Sequence, residues 1–294
     1  VNQAGSGTDE LPRKQFFILV LTLLAFAAAA IEPPPMPQRS IAPDKKPKGS
    51  QFVLNEGDMK LTLFVPDAWK PPVQILTIHF HTAEWIVIQE HVRRAARHPL
   101  ATFYLGEGSS VYRRAFDDGN RFGRVLQIIE KQVGGPVNEL EISSFSAGYG
   151  AVREIIKQPE YLARIRTLVL ADSMYAALET NSVRKPLAEH IEVWTPFARA
   201  AMEGKKTFVI TYSSVPTTSY ASSSECAQAL LETLSVRDAD VEAGSIRAAS
   251  DKDFPLLRRA DVGNLHVWGY GGTNAQAHMT HPRHMADLWK AIGK

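Results

Sequence analysis

From residue 51 onward, short stretches in which apolar residues run together or alternate are separated by longer stretches in which they recur every three or four positions. The first spacing is that of β-strands and the second that of amphipathic helices. Residues 51–55 and 60–65 read as a strand pair joined at Glu56-Gly57-Asp58, whose composition suits a hairpin turn. Residues 73–80 and 101–105 are nearly continuous apolar runs, as expected of strands covered on both faces. Helical spacing is predicted over residues 85–96, 121–133 and 149–164. Further strands follow at 139–143, 167–171, 207–212 and 264–268, and a last helix at 278–292. Ser222-x-x-Glu225 forms a capping box ahead of a helix over 226–234. Residues 173–205 are less regular. Strands alternating with helices predict a mostly parallel sheet, helices on both faces, and ligands at the C-terminal strand ends.

Upstream of residue 51 the pattern is different. Arg13 and Lys14 precede an apolar run over 16–30 that closes with Ala27-Ala28-Ala29-Ala30. It is shorter than the ~20 residues that cross a bilayer, and Ala28-x-Ala30 has the small residues of a cleavage site. This predicts a signal peptide over residues 1–30 and export to a periplasmic or extracellular compartment, with a mature chain beginning near Ile31. An uncleaved membrane anchor is the alternative. Residues 31–50 are rich in proline and lysine, poor in anything that could be buried, and predict a disordered linker. The folded domain is expected over 51–294.

The formal charge of +2 comes without a basic stripe or cluster interleaved with aromatics, so the sequence does not read as a nucleic-acid binder. The single cysteine, Cys226, has no internal disulfide partner and falls in a helical stretch, where a buried inert thiol is expected.

The candidate chemistry gathers at predicted strand ends. In Glu139-Leu140-Glu141-Ile142-Ser143-Ser144-Phe145-Ser146-Ala147-Gly148, a strand breaks into small residues and then becomes helical, which puts Ser146 at the apex of a sharp turn. The string is S-x-S-x-G rather than G-x-S-x-G, with Ser144 in the first glycine position. His79 and His81 stand at the end of one strand, Asp172 after another, and His278 beyond the flexible Gly269-Tyr270-Gly271-Gly272-Thr273 loop. With serine, aspartate and histidine in that chain order, the sequence resembles the α/β-hydrolase superfamily over about residues 51–292.

The resemblance implies a mostly parallel eight-stranded α/β-hydrolase sheet with helices on both faces and a small cap segment within 173–205. It implies a serine hydrolase that cleaves carboxylic esters, or less readily amides. Ser146 would be the nucleophile, His278 the base and Asp172 the acid, with His281 and His284 as competitors for the base. Many members carry the acid one strand later, but here that strand runs into Ser213-Ser214-Val215-Pro216, and Glu225 is accounted for by its capping box. The oxyanion hole is expected from the backbone N–H groups of Ala147 and Ala83. Thr82 stands where many members have glycine. Pocket-lining roles are assigned to His81, Tyr112, Phe116, Tyr149, Trp194 and Phe197, with plain packing as the competing role for each aromatic. The polar segment 106–112 is expected to be a loop folded over the sheet edge. A small-molecule ester is the expected partner, with no cofactor and no metal.

Two other readings compete. His79-x-His81 resembles the start of a metallo-hydrolase H-x-H-x-D-H motif, but Ala83 and Glu84 stand where the aspartate and the next histidine belong. A hydrolase fold used only for binding is the second, since fold does not dictate function.

Overall fold

The computed structural model describes residues 1, 31–43, 47–72, 75–180, 183–241 and 253–293. The predicted signal peptide falls outside the described residues, apart from Val1. No helix among the described residues is long and apolar enough to cross a membrane.

Twelve strands are described, from β1 to β12: Met36–Pro37, Gly49–Glu56, Met59–Pro66, Ile75–Phe80, Leu100–Phe103, Glu139–Phe145, Ile165–Ala171, Thr207–Tyr212, Ala239–Asp240, Asp253–Phe254, Leu256–Val262 and Leu265–Tyr270. Ten of them form one sheet in the order β2-β3-β5-β4-β6-β7-β8-β12-β11-β9. The stretch from β5 to β12 is parallel throughout, and the strands outside it are antiparallel. Leu76, Ile78, Phe80, Leu140, Ile142, Leu168, Leu170, Phe208 and Ile210 are fully buried along the central strands. That is the near-continuous apolar pattern of a sheet covered on both faces.

The helices, α1 to α10, are Glu84–Arg93, Ser109–Ala115, Arg121–Val133, Tyr149–Ile155, Pro159–Arg164, Ala188–Glu192, Thr195–Met202, Ser223–Leu234, Ala275–Thr280 and Met285–Ile292. Ser222 caps α8 through the expected reciprocal box with Glu225.

The sheet has ten strands rather than eight. The two extra strands, β9 and β11, lie beyond β12 at one edge. Their charges (Arg258, Arg259, Asp261) hide the strand pattern and suit an edge that must resist further pairing. The turn between β11 and β12 is nevertheless a two-residue Gly263-Asn264 hairpin, with Gly263 at φ +58°. The helix expected over 149–164 is two helices, because Pro159 supplies no N–H and holds Gln158 extended. The last predicted helix is also divided, into α9 and α10, but here His281 before Pro282 stays in the helical region and the break is a 3₁₀ turn over Pro282–His284. The segment expected as a loop over 106–112 enters helix α2 at Ser109.

Residues 33–42 are not a free linker. Met36 is only 2% exposed, and β1 pairs antiparallel with β10. Tyr270 donates its hydroxyl to the Pro34 carbonyl at 2.8 Å, Arg39 pairs with Asp287 at 3.0 Å, and Gln89 donates to the Ala42 carbonyl at 2.9 Å. Composition suggested a tether, but one buried methionine and a string of backbone acceptors are enough to bind a proline-rich strap to the domain.

Candidate active site

Strand β4 pairs with β5 on one side and β6 on the other, so the crevice beyond its C-terminal end is a topological switch point. Ser146 follows β6 at this crevice with φ +46°, a left-handed backbone that costs a non-glycine residue free energy. Its N–H donates to the Asp172 carbonyl at 3.2 Å. Gly148 is required by space, since a Cβ there would come within 2.3 Å of the Phe80 carbonyl oxygen. Ser144, in place of the usual glycine, is buried, and its hydroxyl lies 2.8 Å from Ser173 Oγ, which donates to the Ser146 carbonyl at 2.9 Å. The serine therefore acts as part of a hydroxyl chain that fixes the elbow.

Asp172 ends β7 at φ +44°, and its side chain is fully buried. Its Oδ2 accepts from His278 Nδ1 at 2.7 Å and from Ser213 Oγ at 2.5 Å. Oδ1 accepts from the Ser213 N–H at 3.2 Å and from the Ser223 hydroxyl. Burial alone would raise the carboxyl pKa. The His278 hydrogen bond, helped by the neighbouring imidazoles and Ser213, outweighs it and holds the group below its ordinary range. The strand end where many hydrolases carry the acid here supplies a hydroxyl to it.

His278 lies on α9, whose start is fixed by Asn274 Oδ1 accepting from the Ala277 N–H at 3.0 Å. Its ring lies 4.4 Å from that of Phe145, the residue before Ser146. With Nδ1 donating to Asp172, Nε2 is left as the acceptor. Ser146 Oγ hydrogen-bonds to no described residue, His278 included, and such contacts in unliganded sites often close only around substrate. The competing histidines are engaged elsewhere. His281 is buried against Thr211 Oγ1 at 2.8 Å, and burial pushes it down to about 4. His284 contacts Asp287 and the Pro37 carbonyl.

Ser146 opens into a cleft of about 510 Å³ with His81, Ala147, Tyr149 and Arg153 among its walls. His81 has φ +64°, so the left-handed position of this loop is His81 and not Thr82. Its N–H donates to the Phe103 carbonyl at 2.9 Å. Tyr112 Oη accepts from the Leu105 N–H at 3.0 Å and lies within hydrogen-bond distance of His81 Nδ1, 2.9 Å away. His79 is fully buried with both ring nitrogens taken, by Ser143 Oγ at 2.8 Å and Thr82 Oγ1 at 3.0 Å. These two histidines shape the loop. No cluster of three or more metal-ligating side chains occurs among the described residues.

Several assigned pocket residues are elsewhere. Phe116 packs in the core against Phe80, Phe103 and Phe122. Trp194 and Phe197 are buried against Phe208, so the segment 173–205 adds to the core instead of roofing the cleft with these aromatics. Among the described residues of that segment, only Tyr175, Ala176, Ala177 and His190 reach the cleft. Tyr112 supports His81 from behind. Ala83 is not among the residues that line the Ser146 cleft: it precedes α1, its carbonyl accepts from the Ile86 N–H, and it lines a neighbouring depression of about 600 Å³. The hydroxyls of Ser173, Ser213 and Ser223 and the guanidinium of Arg153 were not singled out from sequence. Lone serines carry no spacing signal, and Arg153 reads as an ordinary helix-face charge. Cys226 is buried, and burial raises its thiol to about 12, as expected of an inert cysteine.

No protein-family model matches the chain, and no curated protein matches it. Among solved structures it is similar to a poly(3-hydroxybutyrate) depolymerase from Bordetella parapertussis (14% identity, 82% of this chain and 89% of that one, TM-score 0.49). It is also similar to an S-formylglutathione hydrolase from Agrobacterium tumefaciens (12% identity, 86% and 97%, TM-score 0.48). A third is an acetyl xylan esterase from Aspergillus awamori (13% identity, 83% and 99%, TM-score 0.49). The strand order and the mostly parallel sheet with interspersed helices make this an α/β fold of the α/β-hydrolase type.

Proposed function

We propose that this chain is a serine hydrolase that cleaves carboxylic esters through an acyl-enzyme on Ser146. The observation that carries the reading is the 2.7 Å pair between His278 Nδ1 and the buried Asp172, set beside a serine at a strained elbow. As Ser146 Oγ attacks the ester carbonyl, His278 Nε2 takes its proton, and Asp172 holds the ring and stabilises the imidazolium. The proton then passes to the leaving alkoxide. Water, deprotonated by the same nitrogen, releases the acid and regenerates the serine. The Ala147 N–H is the first donor to the developing oxyanion, and since the His81 N–H is held by the Phe103 carbonyl, the Thr82 N–H is the second, in place of Ala83. The apolar run over 16–30 supports export of the protein, and no cofactor is needed for this chemistry.

The test is labelling of the folded protein with a fluorophosphonate, followed by peptide mapping, beside p-nitrophenyl acetate turnover in the wild type and Ser146→Ala. The expected adduct is on Ser146, and the variant should be inactive. Unchanged turnover in the variant rules the mechanism out.

A further inference from the structure

Arg153 stands seven residues beyond Ser146, and Tyr149 lies between them at helical spacing, so the three fall on one face of the segment and border the same cleft. Arg153 is 8% exposed, and its guanidinium carbon lies 5.5 Å from the centre of the Tyr149 ring. Its Nη1 is fully buried and hydrogen-bonds to no described residue.

That is an unusual state for a charged donor, because a buried polar group without a partner costs free energy that folding ordinarily avoids. The nearest carboxylate does not relieve it. Glu154 Oε1 is 4.0 Å from Arg153 Nε, outside hydrogen-bond reach, and Glu154 Oε2 is held by Lys157 at 2.7 Å. The His190 imidazole, on the same cleft, has Nδ1 occupied by the Ala177 N–H at 3.1 Å and offers no negative charge. Arg113 on the rim adds a second positive group. The one carboxylate on the cleft wall among the described residues, Glu107, accepts from the Tyr104 hydroxyl. The cleft thus holds the proposed nucleophile at one point and a guanidinium with an unpartnered nitrogen further along the same face.

We infer that Arg153 is a specificity residue for a carboxylate carried by the substrate, so that the preferred esters are anionic ones. The inference rests on the Ser146 reading for its chemistry, but the anion site can be measured without turnover. Arg is suited to the task because its planar fork meets a carboxylate with two parallel hydrogen bonds. A carboxylate entering the cleft supplies the acceptor that the fold itself withholds from Nη1.

Two matched ester pairs give the test. The p-nitrophenyl half-ester of adipic acid against its methyl-capped form puts the charge on the acyl side; 4-acetoxybenzoate against its methyl ester puts it on the leaving group. In at least one pair, kcat/KM for the anionic member should exceed that for the neutral one by about tenfold or more, the scale of a charge-assisted pair. Arg153→Met should bring that ratio to about one, and Arg153→Lys should restore part of it. Because the readout is a ratio, a general loss of activity in a variant cancels. In parallel, calorimetry compares adipamate with adipamide on the wild type, where the anion should bind more tightly. If the esters are cleaved with ratios near one in both pairs and adipamate gains nothing, the inference is overturned while the Ser146 reading stands. If no ester is cleaved but adipamate binds preferentially and loses its advantage in Arg153→Met, the anion site stands and the acyl-enzyme reading falls. If there is neither cleavage nor preferential binding, both are overturned.

Discussion

His278 Nδ1 donates to Asp172 Oδ2 across a sequence separation of 106 residues, and the carboxylate that receives it is closed off from solvent and fed by three further donors. Asp172 is therefore more than a helix cap. Its surroundings keep it charged, and the charge keeps the imidazole in the tautomer whose other nitrogen can accept a proton.

Asp172→Asn should lower turnover by something like the ~10⁴-fold that accompanies the same change in a serine-protease triad. It should also destabilise the fold. The amide would trade the charge-assisted bonds from Ser213, Ser223 and His278 for neutral ones in a buried site, a loss of about 1–3 kcal/mol. Measuring kcat beside a melting curve checks both effects. A variant that melts earlier yet turns over normally would show that Asp172 is only structural, and the acid would have to be sought elsewhere. Asp238 and Asp240 are poor replacements, since both are bound to Arg258; Asp251 lies outside the described residues.

Ser146 occupies a left-handed conformation that glycine adopts without strain. Ser146→Gly should remove activity and raise stability by about 1 kcal/mol, whereas Ser146→Ala keeps a Cβ at the same φ and should gain nothing. Chemical denaturation of the two variants against wild type is the measurement. Equal stability of the glycine and alanine variants would show that the elbow stores no strain.

The frame of the molecule was legible in the sequence because continuous apolar runs such as 73–80 and 207–212 belong to buried parallel strands, whose burial writes itself into every position. The pairing of Asp172 with His278 near Ser146 was legible because these residues stand at or beyond strand ends in a recognisable order. What escaped was decided by tertiary contact. The strand Leu256–Val262 lies next to the sheet edge, between β12 and the short β9, and its charged side chains erase the alternation. Trp194 and Phe197 could have served as roof or as core, and only the position of Phe208 decides for core. Ser144 looked like a flaw in the elbow motif until Ser173 supplied its partner.

The strap before β2 gives a test of a different kind. Were residues 33–42 a tether, Met36→Ala would change stability by no more than the ~0.5 kcal/mol typical of surface sites. With Met36 buried, the same substitution should cost about 2–5 kcal/mol, read as a lower denaturant midpoint at unchanged slope. Tyr270→Phe, which removes the donor to the Pro34 carbonyl, should cost about 1 kcal/mol. A neutral result for Met36→Ala would mean that the strap does not hold in solution.

The buried imidazoles set the response to acid. Burial lowers His79 to about 3 and His281 to about 4, and His91 is likewise pushed well below its ordinary value of 6.5. In the unfolded chain all three take up protons as the pH falls through 6.5, while in the folded protein they stay neutral until far lower. Between about pH 6.5 and 4 the unfolded state thus binds more protons. Stability falls with falling pH, by about 1.4 kcal/mol per pH unit for each such ring once the unfolded ring is fully protonated. Asp172, whose carboxyl is held below its ordinary range, adds a loss in the same direction at lower pH still. Urea unfolding at a series of pH values should show this slope, and His281→Gln, which can still hydrogen-bond to Thr211, should reduce it by the share of one ring. A stability curve flat between pH 6.5 and 4.5 would mean that these rings reach water in the folded state.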